Sequence, residues 1–215
     1  EVADFYATNI LIENEKILFD YVTPTFTIEK IKLGVPILIN VENAVAAMTI
    51  AYLNGVTKEE LQHAIETFKG IERRFDFQLQ TENVRFIDDY AHHPEELKAS
   101  IQSIRKLYPN KSICGIFQPH LYTRTRDFAT EFANSLSLLD SVILLDIYPA
   151  RELPIKGVSS KMIFKHIQCK NKSICSKEDL LEEIKKYNFD VLITLGAGDI
   201  DKMVPLITQQ LKKQL

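Results

Sequence analysis

The stretch from Asn83 to Gln118 sets the fold class of this 215-residue chain. It reads NVRFID at 83–88, PEELKASIQSIRKLY at 94–108 and SICGIFQ at 112–118. Two short, largely apolar runs enclose an amphipathic segment that begins with proline, a residue favoured in the first turn of a helix. The stretch therefore predicts a strand, a helix and a second strand, the repeating unit of parallel sheets.

The same alternation continues to the end of the sequence. Further strands are predicted at 141–148, 172–175 and 190–196, and further helices at 126–139, 159–167, 177–187 and 199–211. Apolar runs of four to eight residues between amphipathic helices indicate an α/β fold, a doubly wound and mostly parallel sheet covered on both faces. Ligands in such folds collect at the carboxyl ends of the strands, so the loops that follow the strands are the places to search.

The first 70 residues have a different texture. Three short runs rich in β-branched and aromatic residues predict strands, and two helices follow, at 5–13, 16–22, 26–33, 40–55 and 57–68. Thr57 with Glu60 predicts a capping box for the second helix. These strands lack most of the partners of a complete sheet, and the chain opens on Glu1 rather than methionine. We therefore expect 1–70 to be an incomplete domain of a longer protein, followed by a second domain over 71–215.

Composition narrows the classes of partner. The net charge is −3 and the pI is about 6.0, which gives no indication of a nucleic-acid partner. The three cysteines show no metal-ligand spacing, Cys114 lies in an apolar run, and a reducing, cytoplasmic location is the expectation. No run approaches the roughly 18 apolar residues of a membrane span, so we expect no membrane insertion.

The loop after the first strand of the α/β region carries the densest polar cluster. It reads DDYAHHP from Asp88 to Pro94. Two carboxylates, a phenol and two imidazoles so close together are costly to bury, which favours a functional loop over simple helix capping. His92 and His93 are adjacent and point in different directions, so we expect no metal site here.

The loop after the next strand combines an imidazole with two guanidinium groups. It reads QPHLYTRTRD over 118–127 and contains His120, Arg124 and Arg126. Arginine forks at a helix start suit a carboxylate or a phosphate. The alternative is that Arg126 only pairs with Asp127 on the surface, an explanation that fits one of the two arginines.

Three further motifs leave two interpretations open. The turn GAGD at 196–199 is either a phosphate-binding turn or a tight strand-to-helix connection. The pair Arg73 and Arg74 is either a solvated charge pair or part of a site. Asn40 reads as an N-cap, whereas Asn43 on the same helix face is harder to explain that way.

Together these segments resemble the Mur ligase family. The matching stretches are NVENAVAA (40–47), ERRF (72–75), DDYAHHPEE (88–96), FQPHLYTRTRD (117–127), DIYPARELPI (146–155) and LGAGDI (195–200). They occur in the family's order and the resemblance covers essentially the whole chain. The third and fourth stretches are the most specific, and they resemble the branch of the family that adds L-alanine.

The resemblance implies an ATP-dependent amide-forming ligase with Mg²⁺ that joins L-alanine to UDP-N-acetylmuramate through an acyl phosphate. It implies that 1–70 is the end of a central P-loop ATPase domain and that 71–215 is a Rossmann-like C-terminal domain. No GxxxxGKS/T motif occurs in the sequence, so we expect the chain alone to be inactive.

The resemblance also assigns residues. It places ATP on Asn40, Asn43, Arg74 and Asp89, and the amino acid and muramoyl carboxylate on Tyr90, His92, His120 and Arg124. Arg74, His92 and Arg124 are the expected catalytic set, with no metal ligand among them. Many relatives carry histidine where Ile39 stands, so we expect a weaker or differently made adenine contact here. Many carry arginine where Leu121 stands, which puts extra weight on Arg124 for the substrate carboxylate.

Two other functions remain open from the sequence. One is the murein-peptide recycling ligase of the same family, which shares the AHHP stretch. The other is a non-catalytic nucleotide-binding or interaction module, which composition and periodicity do not exclude.

Overall fold

The computed structural model describes residues 3–213. Proximity of Cα atoms divides them into two units. The first runs to Gly70 and includes Ser103–Pro109, and the second comprises Ile71–Gln102 and the chain from Asn110 onward. Among the helices of residues 3–213, none combines the length and the apolar character that crossing a membrane requires.

The first unit is a small antiparallel sheet with two helices. The strands are β1 (Tyr6–Glu13), β2 (Lys16–Val22) and β3 (Thr27–Lys32), in that order across the sheet, and the helices are α1 (Ile39–Leu53) and α2 (Lys58–Thr67). All five predicted elements are present. Phe19, Tyr21 and Ile31 on the sheet and Met48 on α1 are fully buried in one apolar cluster.

The sequence predicts the N-terminus of α2 correctly but not that of α1. At α2, Thr57 accepts a hydrogen bond from the Glu60 amide and donates its own amide to the Glu60 carboxylate at 2.9 Å, so the capping box is confirmed. At α1 the predicted N-cap is wrong. The helix begins at Ile39, and Asn40 lies inside its first turn with its side-chain amide donating to the Val35 carbonyl at 3.3 Å.

The second unit contains a six-stranded sheet in the order β4-β5-β9-β6-β7-β8. Its strands are β4 (Asp76–Gln80), β5 (Arg85–Asp89), β6 (Ile113–Phe117), β7 (Ser141–Leu144), β8 (Asn171–Ile174) and β9 (Val191–Leu195). All neighbours are parallel except β4 and β5. The predicted α/β fold with a mostly parallel sheet is confirmed, and Cys114 is fully buried in β6 as expected.

The helices from residue 94 onward are α3 (Pro94–Leu107), α4 (Tyr122–Asp127), α5 (Ala129–Leu136), α6 (Lys161–Phe164), α7 (Leu180–Ile184) and α8 (Val204–Lys212), with a 3₁₀ turn at Asp199–Met203 before α8. The single helix predicted over 126–139 is wrong. It divides at Phe128, whose φ of −121° and ψ of 22° leave the helical region. Strand β4 was not predicted at all.

Register brings the strand ends together. Asp89 at the end of β5 is level with Leu195 of β9, which is level with Phe117 of β6, which is level with Leu144 of β7. Parallel strands that end at the same level present their following loops side by side. The loops after β5, β6, β7 and β9 therefore share one edge of the sheet.

Candidate functional site

The loop after β5 is anchored by two buried carboxylates. Asp88 accepts a hydrogen bond from the Thr194 hydroxyl at 2.6 Å, and Asp89 accepts from the Ser100 hydroxyl and from the Ala91 amide, the latter at 3.1 Å. Burial raises the pKa of both carboxyl groups, with these hydrogen bonds acting in the opposite direction. Both side chains therefore hold the loop in place from inside.

The next residues of this loop form one wall of the site. The His92 ring lies at an edge-to-face angle to Tyr90, with centroids 5.2 Å apart, and His92 Nδ1 is 3.0 Å from the Tyr90 carbonyl oxygen. Glu96 Oε2 accepts from the His92 amide at 2.9 Å and from the His93 amide at 3.1 Å. Burial would raise the pKa of Glu96, but these amides and the His92 ring outweigh it and leave that pKa lowered. The His92 ring is thus oriented from two sides.

The loop after β6 reaches the same edge through a left-handed backbone turn. Leu121 has a φ of 74°, which turns the chain into α4, and its amide donates to the Tyr148 carbonyl at 2.9 Å. No side chain caps α4 at Leu121. Glu152 from a later loop accepts from the Thr123 amide at 3.0 Å instead, and so satisfies a first-turn donor.

His120 occupies the centre of this cluster. Its ring stacks on Tyr148 with centroids 5.8 Å apart and lies 6.1 Å from the ring of His92. Within residues 3–213, its buried Nδ1 has no hydrogen-bond partner. Burial lowers the pKa of His120, and the nearby Arg124 and His92 lower it further. A neutral imidazole with an unused polar atom therefore faces its neighbours at this edge.

The two arginines of α4 have different surroundings. Arg124 is half-buried, and its Nη1 lies 3.5 Å from the His92 carbonyl oxygen. Arg126 is exposed and pairs with the adjacent Asp127, at 2.7 Å from Nε to Oδ1. The surface pair that the sequence offered as an alternative is therefore present, as Arg126 with Asp127. Arg124 is the arginine that lies beside the histidine cluster.

The glycines after β9 are explained by tight packing. Gly196 has a φ of +139°, and a Cβ there would lie 2.7 Å from the Gln118 carbonyl oxygen. A Cβ on Gly198 would lie 2.7 Å from Cβ of Tyr148. The side chain of Gln118 also accepts the Ile200 amide at 2.9 Å. Close backbone approach therefore accounts for both glycines without a phosphate.

Arg73 and Arg74 have different surroundings in the structure. The sequence left open whether this pair is solvated or part of a site. The Arg73 side chain is 18% exposed and in contact with Asp88 and Asp201, whereas Arg74 is exposed. Both guanidinium groups lie near the Tyr90 ring, at 5.0 Å for Arg73 and 5.7 Å for Arg74. Sequence reasoning missed Arg73, because partners such as Gly198 lie 125 residues away along the chain.

The two asparagines belong to the first unit. Asn43 donates its side-chain amide to Asn40 Oδ1 at 3.1 Å, so the two side chains do share one face of α1. Asn43 is exposed and Asn40 is half-buried. Across residues 3–213, no three His, Cys, Asp or Glu side chains are grouped so that they could hold a metal ion.

The second unit thus brings Tyr90, His92, His120 and Arg124 to one edge of its sheet, with Arg74 beside Tyr90. The Arg124 guanidinium, which makes one hydrogen bond to the residues that the structure describes, suits a carboxylate, and the aromatic rings around it suit a small polar ligand. Asp89 lies beneath this surface, and Asn40 and Asn43 lie in the other unit.

The chain is similar to known proteins along its whole length. A family model described as "Mur ligase, glutamate ligase domain" matches residues 73–198. The chain is 55% identical over all 215 residues to a UDP-N-acetylmuramate–L-alanine ligase of Phocaeicola vulgatus, of which it covers 47%. It therefore spans about half the length of the curated relatives it matches.

Solved structures share the fold. A UDP-N-acetylmuramate–alanine ligase of Thermotoga maritima superimposes with a TM-score of 0.82 at 24% identity, over 100% of this chain and 47% of that one. A MurF ligase of the same organism, solved in complex with ADP, superimposes with a TM-score of 0.69 at 16% identity, over 100% of this chain and 48% of that one.

Proposed function

Because the chain belongs to the Mur ligase family, we propose that it is the C-terminal part of a ligase that joins L-alanine to UDP-N-acetylmuramate at the expense of ATP. The observation that carries the proposal is the meeting of Arg124, His92 and His120 at the strand ends. These residues belong to the two stretches that most resemble the alanine-adding branch. The 55% identity extends along the whole chain.

We propose that residues 1–70 are the end of the central ATP-binding domain and 71–215 the C-terminal domain. Helix α1 supports the first assignment, since Ile39, Ile50 and Leu53 are 53%, 66% and 67% exposed. At spacings of 11 and 14 residues they lie on one face of the helix. Exposed apolar faces of this kind mark contact surfaces, and the rest of the central domain would cover this one.

The proposed reaction has two steps. The muramoyl carboxylate attacks the γ-phosphate of ATP, which gives an acyl phosphate and ADP. The amine of alanine then attacks the acyl carbon, inorganic phosphate leaves with the C–O electron pair, and the amine loses a proton. Such chemistry depends on positioning and on neutralising negative charge more than on covalent help from the protein.

In this proposal Arg124 binds a substrate carboxylate. Among residues 3–213, its guanidinium makes one protein hydrogen bond, the 3.5 Å contact with His92, so the fork remains available for a bidentate pair. His92, fixed by Glu96 and the Tyr90 carbonyl, and the neutral His120 supply directed polar contacts to the amino acid. Tyr90 forms the apolar wall beside them.

The nucleotide is assigned to Asn40, Asn43, Arg74 and Asp89. Arg74 is exposed and able to reach phosphate oxygens, and Asn43 is exposed on α1. Asp89 is engaged by Ser100 and Ala91, yet a carboxylate offers about four acceptor sites, so a ribose hydroxyl can still be accommodated. Mg²⁺ would accompany ATP, and we assign it no ligand within 3–213. Dependence on ATP makes the cytoplasm the proposed location.

A comparison of substrates tests the proposal. The complete ligase that contains this chain should release ADP only when UDP-N-acetylmuramate and L-alanine are both present. Replacing alanine with the cell-wall tripeptide should abolish that release. A preference for the tripeptide would identify the recycling ligase instead, and nucleotide binding without turnover would identify a non-catalytic module.

A further inference from the structure

Arg73 connects four parts of the second unit through one side chain. Its Nη2 donates to the Gly196 carbonyl at 2.7 Å, its Nε lies 3.4 Å from Asp88 Oδ2, and its Nη1 lies 3.5 Å from Asp201 Oδ2. These partners follow β9, end β5 and lie in the 3₁₀ turn. Nε makes no hydrogen bond within residues 3–213, so the guanidinium is oriented by the Gly196 hydrogen bond and by the ion-pair contacts with the two carboxylates.

The backbone of Arg73 is also unusual. Its φ is +61°, a left-handed conformation that a residue with a long side chain seldom adopts. Its carbonyl oxygen accepts the Tyr90 amide at 2.7 Å, and its own amide lies 3.4 Å from Asp76 Oδ2. Backbone strain of this kind persists only where surrounding contacts impose it, and it concentrates at functional sites.

Both the carbonyl oxygen and the guanidinium of Arg73 contact Tyr90. The Arg73 guanidinium is 5.0 Å from the Tyr90 ring centroid and that of Arg74 is 5.7 Å from the same centroid. The Arg73 guanidinium contacts Gly196, Asp88 and Asp201, whereas that of Arg74 is exposed. A cation near an aromatic ring is attracted to the face of that ring. If Arg73 fixes the Tyr90 ring, the ring in turn restricts the position of the Arg74 guanidinium.

We propose that Arg73 is a positioning residue of the ligase reaction, which acts by fixing the Tyr90 ring and, through that ring, the approach of Arg74 to anionic substrate. This inference rests on the proposed function for the roles of Tyr90 and Arg74. Arg73 itself touches no reacting group. The alternative role of Arg73 is that of a counter-ion for the buried Asp88. A counter-ion would stabilise the fold, and the effect of its loss would not depend on the presence of Tyr90.

A double-mutant cycle in the complete ligase separates these roles. Arg73→Met should lower kcat/KM for UDP-N-acetylmuramate about tenfold in the parent and less than about twofold in a Tyr90→Leu background. Losses that multiply instead would show that Arg73 acts independently of Tyr90 and would overturn the proposal. So would a parent Arg73→Met variant within about twofold of wild type.

Two further variants keep the test decisive. Arg73→Lys should recover only part of the loss, because an ammonium beside Asp88 cannot also donate to Gly196 in fork geometry. If Arg73→Met does not fold, the cycle is run with Arg73→Lys. Arg126→Met is the matched control, since Arg126 is exposed and pairs with its neighbour Asp127, and it should leave kcat/KM unchanged.

The ring contact can be measured without any activity. In the 215-residue chain, Arg73→Met should shift the NMR signals of the Tyr90 ring protons and Arg126→Met should not. If the complete protein shows no alanine-dependent turnover, the proposed function fails while this result still reports on the contact. Unmoved Tyr90 signals would remove the basis of the positioning role whatever the activity.

Discussion

The imidazole of His120 stacks on the ring of Tyr148, with centroids 5.8 Å apart and an angle of 20° between the ring planes. Tyr148 follows β7 and His120 follows β6, so the stack joins two loops at the strand ends. His120 Nδ1 is buried and has no hydrogen-bond partner within residues 3–213. An imidazole in these surroundings is hard to protonate.

The first prediction concerns the pH dependence of folding stability. Burial lowers the pKa of His120 from its ordinary value of 6.5, Arg124 and His92 lower it further, and Glu152 acts in the opposite direction. Between the lowered folded pKa and 6.5 the unfolded chain binds more protons than the folded chain. Stability contributed by this group is therefore present above pH 6.5 and is lost as the pH falls through the folded pKa.

Denaturant unfolding of the 215-residue chain and of His120→Gln, at a series of pH values from neutral downward, measures this contribution. The stability advantage of the parent over the variant should shrink as the pH falls. Arg124→Met should raise the His120 pKa as followed by NMR, because it removes one of the causes. Parallel stability curves for parent and His120→Gln would contradict the assignment.

The second prediction concerns local stability. β9 and β6 are flanked by parallel neighbours on both sides, whereas β1 and β3 are the edges of a three-stranded sheet. Open edges and few neighbours lower the free energy of local opening. Amide hydrogen exchange in β1 and β3 should be at least about tenfold faster than in β6 and β9. Equal protection of the two sheets would count against 1–70 as part of a larger domain.

The third prediction is that the 215-residue chain folds cooperatively but shows no alanine-dependent ATP hydrolysis. The sequence contains no GxxxxGKS/T loop, the motif whose backbone amides and lysine cradle nucleotide phosphates. Phosphate release in the presence of ATP, Mg²⁺, UDP-N-acetylmuramate and alanine measures it, with the complete ligase as the positive control. ATP hydrolysis by the chain alone would contradict the prediction, because the groups that bind the phosphates would then lie within these 215 residues.

Much of the architecture could be predicted from local patterns. Buried parallel strands appear in the sequence as continuous apolar runs, which is why β6 and β9 were predicted. Strand β4 was missed although Phe75, Phe77 and Leu79 alternate with polar residues, a half-buried pattern that does predict an edge strand. No glycine or proline marks the break at Phe128, whose ring packs against that of His93 with centroids 5.1 Å apart, a contact that the local sequence does not reveal.

The candidate site shows the same division. His92, His120 and Arg124 were identifiable because polar side chains cluster directly after apolar runs. Arg73 was not, because its role depends on a φ of +61° and on Gly196 and Asp201, which only the folded sheet brings near. The Asn40 N-cap is wrong because Leu38, two residues earlier, holds the cap position of α1, and the Asn40 side-chain amide donates to the Val35 carbonyl.

Arg124 links the two loops on which the proposed function depends. Its Nη1 lies 3.5 Å from the His92 carbonyl oxygen, so a change at Arg124 affects the loop after β5 as well as α4. A carboxylate bound by an arginine fork gains a charge-assisted pair worth about 1.5–3 kcal/mol. Leu121, three residues earlier, is apolar, so no second guanidinium at that position can compensate.

The most direct test of the account is a steady-state comparison of Arg124→Ala and Arg126→Ala in the complete ligase. Arg124→Ala should lower catalytic efficiency by roughly one to two orders of magnitude, mainly through a raised KM for alanine or the muramoyl substrate, with the KM for ATP nearly unchanged. Arg124→Lys should restore only part of the loss, because it keeps the charge without the fork. Arg126→Ala should resemble wild type. Substrate constants and kcat for Arg124→Ala that match those of wild type would contradict the account, because Arg124 would then be a surface group.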